Sequence, residues 1–359
     1  MPSTTPNPIR VVVIDDSPTM RQLLAAVLRQ AGNIEVVGMG GDGEEAVRLV
    51  KRLHPHVLTL DVQMPKMNGL EAVRQIMREC PLPIVIVSAS QKPHDMELAF
   101  QALKAGALTM LSKPGLNDSE TCDKLVQTVR LMASVPVIHH WGRAEMDKKP
   151  TASAAARPAP ALPARLQTRE NARIVGIAAS TGGPSALAQV LRGLPASFPL
   201  PMVLVQHFSP GFAGGLAEWL GTQTAICVEI AAHGDMLRPG VLLMAPDDYH
   251  LQVTTKGIVE LSKGPAYKGL RPSANPMFES LARCYGPAAV GIILTGMGDD
   301  GADGLLALHR AGGFTMAQNE ESCVVYGMPG EAVARQAADE VLSLEQIGAR
   351  LELLSRRFS

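Results

Sequence analysis

The sequence predicts two α/β domains, each a doubly wound parallel sheet, joined by a flexible linker. Three observations carry this. From Arg10 to about residue 133, short apolar runs alternate with segments of helical periodicity. The pattern dissolves between Ser134 and Arg173, where Pro150 to Arg165 reads PTASAAARPAPALPAR. It then resumes at Ile174. Alternating strands and helices imply crossover connections, hence helices on both faces of a parallel sheet. Repeated prolines prevent a continuous helix in the middle stretch, which reads as a tether. The expected boundaries are 9–133, 134–172 and 173–356, and a chain of 359 residues accommodates all three.

In the first domain, Val11 to Ile14, Val36 to Met39, Val57 to Leu60, Ile84 to Val87 and Ala107 to Leu111 read as strands. Met20 to Gln30 is an amphipathic helix with Leu23, Leu24, Val27 and Leu28 on one face, opened by Ser17 and Pro18 as cap and first-turn proline. Function in such sheets gathers at the carboxyl ends of the strands. There the chain places Asp15 and Asp16 after the first strand, Asp61 after the third, Ser88 at the fourth and Lys113 after the fifth. Clustered carboxylates repel one another and suit a hard divalent cation, and Mg2+ completed by phosphate oxygens fits best. Asp61 is then the candidate nucleophile toward a phosphoryl group, with Ser88 and Lys113 neutralising its charge. After the domain, Val135 to Trp141 reads as a domain tail or a docking segment.

In the second domain, the apolar run Ile174 to Ala179 stops at Ser180, and Thr181-Gly182-Gly183-Pro184 leads into a helix. This places a hydroxyl at a strand-to-helix turn, near free N–H donors that could hold an oxyanion. Ser180 as a plain helix cap is the alternative. Met202 to Gln206 is a strand ending at His207, and a helix follows near Phe212 to Leu220. Further short strands are Ile226 to Ile230, Val241 to Met244, Tyr249 to Val253 and Ile258 to Leu261. Val290 to Leu294 runs into Thr295-Gly296-Met297-Gly298-Asp299-Asp300-Gly301, followed by a helix, the strand Phe314 to Ala317 and a last helix over Leu344 to Leu354. Gly296 to Gly301 formally matches a dinucleotide fingerprint, but two carboxylates would face the pyrophosphate at the helix N-terminus meant to attract it. Ser180, His207 and Asp299 or Asp300 follow three different strands, which a doubly wound sheet brings to one edge as nucleophile, base and acid. His54, His56, His94, His233, His250 and His309 have no comparable neighbours in the sequence.

Two resemblances follow from these motifs. Residues 9 to 133 resemble a flavodoxin-like response-regulator receiver domain, through Val13 to Ser17, Asp61 to Pro65, Asn68-Gly69, Ser88 and Lys113-Pro114. The resemblance implies Asp61 as phosphoacceptor for a histidine kinase, with Asp15, Asp16, Asp61 and the Gln63 carbonyl about Mg2+. Met110 stands where receivers usually carry a switching aromatic. The whole chain resembles the chemotaxis protein-glutamate methylesterase (CheB) family, through Ser180 to Pro184, Val205-Gln206-His207, Ala245 to His250 and Thr295 to Gly301. This implies a serine esterase acting on methylated chemoreceptors and deamidating receptor glutamines. It implies Ser180 as nucleophile, His207 as base, Asp300 as acid, and oxyanion donors at Thr181 and Met297. It also implies a receiver that covers the catalytic edge until phosphorylated. Asn275 is a departure, since the family often carries aspartate there.

Composition bounds the rest. The chain is 46% hydrophobic and 19% charged with a formal net charge of −1, so nothing points to nucleic acid as partner, and no basic recognition helix is visible. No apolar run reaches membrane-spanning length, and the first residues show no leader. Five dispersed cysteines read as reduced thiols of a cytoplasmic protein. The rival readings are a non-catalytic regulator, a DNA-binding output, and an esterase serving a pathway outside motility.

Overall fold

The computed structural model describes residues 7–88, 93–115, 118–135 and 172–355. The chain divides into two compact units. The Ala/Pro-rich tether, with all of the docking segment but Val135, lies outside the described residues.

The first unit is a five-stranded parallel sheet in the order β2-β1-β3-β4-β5, with β1 Ile9–Ile14, β2 Ile34–Gly40, β3 Val57–Leu60, β4 Ile84–Ser88 and β5 Thr109–Ser112. Helices α1 (Pro18–Gln30), α2 (Gly43–Leu53), α3 (Gly69–Glu79) and α4 (Pro93–Lys104) make the connections, and α5 (Ser119–Met132) follows the last strand. Each start has a local cause. Ser17 caps α1 ahead of Pro18, Asp42 caps α2, and Asn68 with Glu71 forms a capping box on α3. All four residues of β3 are buried, as expected of a central parallel strand. Strand order reverses between β1 and β3, so the crevice between their carboxyl ends receives Asp15, Asp16 and Asp61.

The second unit is a seven-stranded parallel sheet, β14-β13-β12-β6-β7-β9-β8. Its strands are β6 Ile174–Ala179, β7 Met202–Gln206, β8 Cys227–Ile230, β9 Val241–Met244, β12 Ala289–Ile293, β13 Phe314–Gln318 and β14 Glu340–Leu342. β10 (His250–Val253) and β11 (Val259–Ser262) form a separate antiparallel hairpin. The helices are α6 Gly183–Leu191, α7 Ala213–Gln223, α8 Ala274–Cys284, α9 Ala302–Arg310, α10 Met328–Ala334 and α11 Leu344–Ser355. The central strand β6 lies between β7 and β12, so the chain leaves Ser180 with His207 on one side and the Gly296–Gly301 loop on the other.

One pair of glycines sets how closely the helices approach this sheet. Gly176 and Gly291 face each other in register across β6 and β12. A Cβ at Gly291 would meet Leu308 Cδ2 at 2.7 Å, and one at Gly176 would meet the Leu281 side chain. Their absence lets α8 and α9 seat Phe278, Leu281, Leu305 and Leu308, all fully buried, directly on the strands. Burial of each such side chain stabilises by about 1.5–3 kcal/mol, and the close seating brings the N-terminus of α8 to Asp300.

Helices α8 and α10 and the edge strand β14 are additions to the sequence-based expectation. For α8 a signal exists: Ser273 as cap, Pro276 in the first turn where no N–H is needed, and apolar residues at 277, 278 and 281. β14 has three residues, too short for a periodic pattern.

Candidate active site

Ser180 follows β6 in a tight turn. Its N–H donates to Thr295 O at 3.0 Å, and its carbonyl accepts from Gly183 N at 2.8 Å. Helix α6 is capped by Gly182 at φ +79° with no side-chain cap, so the Ser180 hydroxyl does not serve as the helix cap. A Cβ at Gly182 would strike Val324 Cβ at 2.7 Å, so glycine is required for space as well as backbone conformation. Gly296 passes so close that a Cβ there would lie 2.8 Å from Ser180 Cβ.

His207 follows β7, its N–H donating to Ala179 O at 3.0 Å. Its Nε2 lies 2.9 Å from Asp300 Oδ2, with the ring 10% and the carboxylate 2% exposed. The N–H direction is off the line of a regular hydrogen bond, so the two groups meet as a close imidazole–carboxylate contact. Asp300 faces Nε2, so Nδ1 is the ring nitrogen that the carboxylate leaves unengaged. Gln206, 5% exposed, ties the two backbone segments together: its Nε2 donates to Ser180 O at 2.8 Å and to His207 O at 3.0 Å.

The aspartate doublet separates cleanly. Asp300 points inward, accepting from Ser273 Oγ at 2.6 Å, Ala274 N at 2.7 Å and Asn275 Nδ2 at 3.0 Å. Burial pushes its carboxyl up, but His207, Ser273 and the Ala274 N–H more than offset this and hold it below the usual carboxylate range. Asp299 points outward to Lys268 and Arg335, and the Lys268 ammonium foremost holds its carboxyl low.

Among the described residues the N–H groups of Thr181 and Met297 make no hydrogen bond, so both remain available to an incoming oxyanion. Met297 is 40% exposed, and beyond it opens a groove of about 420 Å3 lined by Gly298, Asp299, Tyr326, Gly327, Gly330 and Glu331. Thr295 braces this wall, with Oγ1 donating to Thr181 O at 2.9 Å and accepting from Val325 N at 3.0 Å. The nearby Cys323 thiol is pushed up to about 12 by burial, which leaves it a poor nucleophile.

In the first unit, ligand atoms of Asp15, Asp16 and Asp61 lie within 4.8 Å of one another. Lys113 Nζ sits 2.7 Å from both Asp15 Oδ2 and Asp61 Oδ2. Burial raises the Asp61 carboxyl despite this ammonium. Ser88 is buried at the end of β4 and accepts from Lys113 N at 3.0 Å through its carbonyl. Arg21 donates to the carbonyls of Asp15 and Asp16, fixing the acidic turn. Met110 is buried in β5.

Sequence reading missed Gln206, Ser273, Asn275 and His250 as parts of the site. His250 is not solitary: it is 4% exposed, its Nδ1 accepts from Ser273 N at 3.2 Å, and its Nε2 lies 3.1 Å from Pro265 O. Asp247 and Asp248 also have structural work. Asp247 accepts from Gly211 N at 2.7 Å in the loop after His207, and Asp248 pairs with Arg271.

Comparison with known proteins agrees with this layout. The CheB methylesterase family profile matches residues 175–351, and that of the response regulator receiver domain matches residues 11–126. Protein-glutamate methylesterase/protein-glutamine glutaminase 4 of Myxococcus xanthus (strain DK1622) is 46% identical, over 96% of this chain and 96% of its own length. Protein-glutamate methylesterase/protein-glutamine glutaminase of Nitrosospira multiformis (strain ATCC 25196 / NCIMB 11849 / C 71) is 44% identical, over 96% of each. Protein-glutamate methylesterase/protein-glutamine glutaminase 1 of Syntrophus aciditrophicus (strain SB) is 41% identical, over 97% of this chain and 98% of its own length. With both domains matched and relatives aligned over almost its whole length, the chain belongs to the CheB methylesterase family.

Proposed function

We propose that this chain is a phosphorylation-regulated serine esterase that hydrolyses glutamate methyl esters on chemoreceptors, with Ser180, His207 and Asp300 as its triad. The buried contact of His207 Nε2 with Asp300 Oδ2 at 2.9 Å, beside the Ser180 turn, carries the reading. His207 takes the proton of Ser180 as the hydroxyl oxygen attacks the ester carbonyl. The N–H groups of Thr181 and Met297 receive the oxyanion. Collapse breaks the acyl–oxygen bond, and His207 returns the proton to the departing methanol. Water then repeats the sequence on the acyl-serine, freeing the glutamate carboxyl and Ser180. A glutamine side chain follows the same route with ammonia leaving, which accounts for the paired activity in the relatives' names.

Residues 9–133 act as receiver, 134–172 as tether and 173–356 as catalytic domain. Asp61 accepts the phosphoryl group from a histidine kinase, and Lys113 and Ser88 contact it. The oxygen-only donor set of Asp15, Asp16 and Asp61 suits Mg2+, with the Gln63 carbonyl as a further ligand. When bound, the ion neutralises phosphate charge. Phosphorylation of the receiver raises the esterase activity, which requires the receiver to act differently on the catalytic domain in its two states. All five cysteines are free thiols, in keeping with a cytoplasmic site of action, and no described helix is long and apolar enough to cross a membrane.

The test is methanol release from methylated receptor membranes, with and without Mg2+ and a small acyl-phosphate donor. Release should rise with donor, vanish in Ser180→Ala, and lose its stimulation in Asp61→Asn. No release from wild type would leave the binding-regulator reading, and equal stimulation of Asp61→Asn would remove that residue's role.

A further inference from the structure

We propose that Ser273 and Asn275, at the N-terminus of α8, are positioning residues of the hydrolytic reaction, holding the Asp300 carboxylate turned toward His207. The inference rests on the esterase reading and adds residues to it that touch neither substrate nor reacting atoms.

The geometry is closed on every side. Asp300 Oδ1 receives Ser273 Oγ and Asn275 Nδ2, while Oδ2 receives Ala274 N and faces His207 Nε2. Ser273, Asn275 and Asp300 are 0%, 1% and 2% exposed, so water does not substitute for these donors. The carboxylate therefore occupies the anion site that a helix N-terminus offers, with a side chain on either flank adding to the backbone N–H. Neither flanking group is free to turn away. The Asn275 Oδ1 accepts from Gly304 N at 2.7 Å, one of the orphan donors of α9, and this fixes the amide so that its NH2 faces Asp300. Ser273 N–H donates to His250 Nδ1, which leaves His250 Nε2–H to donate to Pro265 O. A chain of hydrogen bonds thus runs from Pro265 through His250 and Ser273 to Asp300, whose Oδ2 faces His207 Nε2 at 2.9 Å.

The other charged groups near Asp300 do not replace this support. Asp299 is turned outward to Lys268 and Arg335, and Asp303 on α9 pairs with Arg335 and accepts from Tyr267. Among the described residues, His250 is linked to Asp300 through Ser273. A carboxylate at position 275 could still accept from Gly304 N, but it would set an oxygen against Asp300 where a donor now stands. Two carboxylates that close cannot both ionise and must share a proton.

The experiment compares wild type, Ser180→Ala, Ser273→Ala and Asn275→Asp by the pH dependence of kcat/KM for methanol release. The rate of Ser180 labelling by a sulfonyl fluoride is measured in parallel, and thermal unfolding confirms that each variant is folded. Removing the Ser273 donor raises the proton affinity of the His207–Asp300 pair. Its acid limb should move up by about one pH unit and kcat/KM should fall about tenfold, with KM unchanged. In Asn275→Asp the shared proton restores a donor, so activity should persist at lower pH and fall as pH rises and that proton is lost, a limb of opposite sign. The labelling rate should follow the same profiles. Folded variants with wild-type profiles in both assays overturn the inference while leaving the esterase reading intact. A wild type that neither releases methanol nor is labelled at Ser180 overturns that reading, and the inference with it.

Discussion

Replacing Gln206 by leucine tests whether one buried amide ties the nucleophile to the base. Leucine keeps the volume and apolar shape but removes both donated bonds, to Ser180 O at 2.8 Å and His207 O at 3.0 Å. The two carbonyls are affected unequally. Ser180 O keeps its bond from Gly183 N, whereas His207 O has no other partner among the described residues. Two net hydrogen bonds are together worth about 1–3 kcal/mol. Part of that returns, because the Gln206 Oε1, itself without a partner, disappears as well. The expected loss is therefore about 1–2 kcal/mol of stability. For a unit of this size that is a drop of about 2–8 °C in Tm. The catalytic effect should be larger in relative terms. Ser180 and His207 belong to adjacent strands, and their side chains depend on how the two strand ends are held. A misplacement of about 1 Å lowers rate by about 100-fold, so kcat should fall about 10- to 100-fold with KM little changed. Urea unfolding measures the first quantity and methanol release the second. A Gln206→Leu protein with kcat within about twofold of wild type and an unshifted midpoint would refute the tie, since about 1.4 kcal/mol corresponds to tenfold.

Three further outcomes follow from the site. Asp300→Asn should lower kcat by about 10^2 to 10^4-fold, whereas Asp299→Asn, which breaks only rim ion pairs, should change stability by no more than about 1 kcal/mol and leave kcat near wild type; parity of the two variants would mean the doublet is misassigned. The Asp300 carboxyl is lower in the fold than in the unfolded chain, so its stabilisation is present above the ordinary carboxylate range and lost as pH falls through its folded value. The stability gap between wild type and Asp300→Asn should then narrow in acid, and a gap independent of pH would contradict this when read by denaturant titration. Gly296→Ala drives a Cβ against Ser180 Cβ and the Met328 sulfur and should cost about 1–3 kcal/mol with loss of turnover, while Gly298→Ala, with open space around it, should cost only about 1–2 kcal/mol for its φ of +83°; the ranking is checked by thermal unfolding.

What could be read in the sequence was whatever local patterning encodes. Apolar runs that stop at Ser180, His207 and the Gly296–Gly301 loop give strand ends, and a doubly wound sheet brings strand ends together without further information. The same logic collects Asp15, Asp16, Asp61, Ser88 and Lys113, and family resemblance supplies their expected roles. The choice within the Asp299–Asp300 doublet is of another kind. Adjacent residues in one turn have the same local environment in the chain, and only tertiary contacts distinguish them: Lys268 and Arg335 for one, the N-terminus of α8 for the other. Those contacts depend in turn on Gly176 and Gly291, more than a hundred residues apart in sequence yet adjacent in register, which let α8 seat against the sheet. Gln206, His250, Ser273 and Asn275 were hidden for the same reason, since each acts through a hydrogen bond to a distant segment. Asn275 makes the point most directly. Viewed along the chain it is an uncharged replacement near a proline; in the fold its amide is pinned by Gly304 N and donates to the carboxylate that faces the base. A substitution that deletes no catalytic group can still govern the charge of one, because in a site closed to water every donor to a buried carboxylate helps decide where its proton resides.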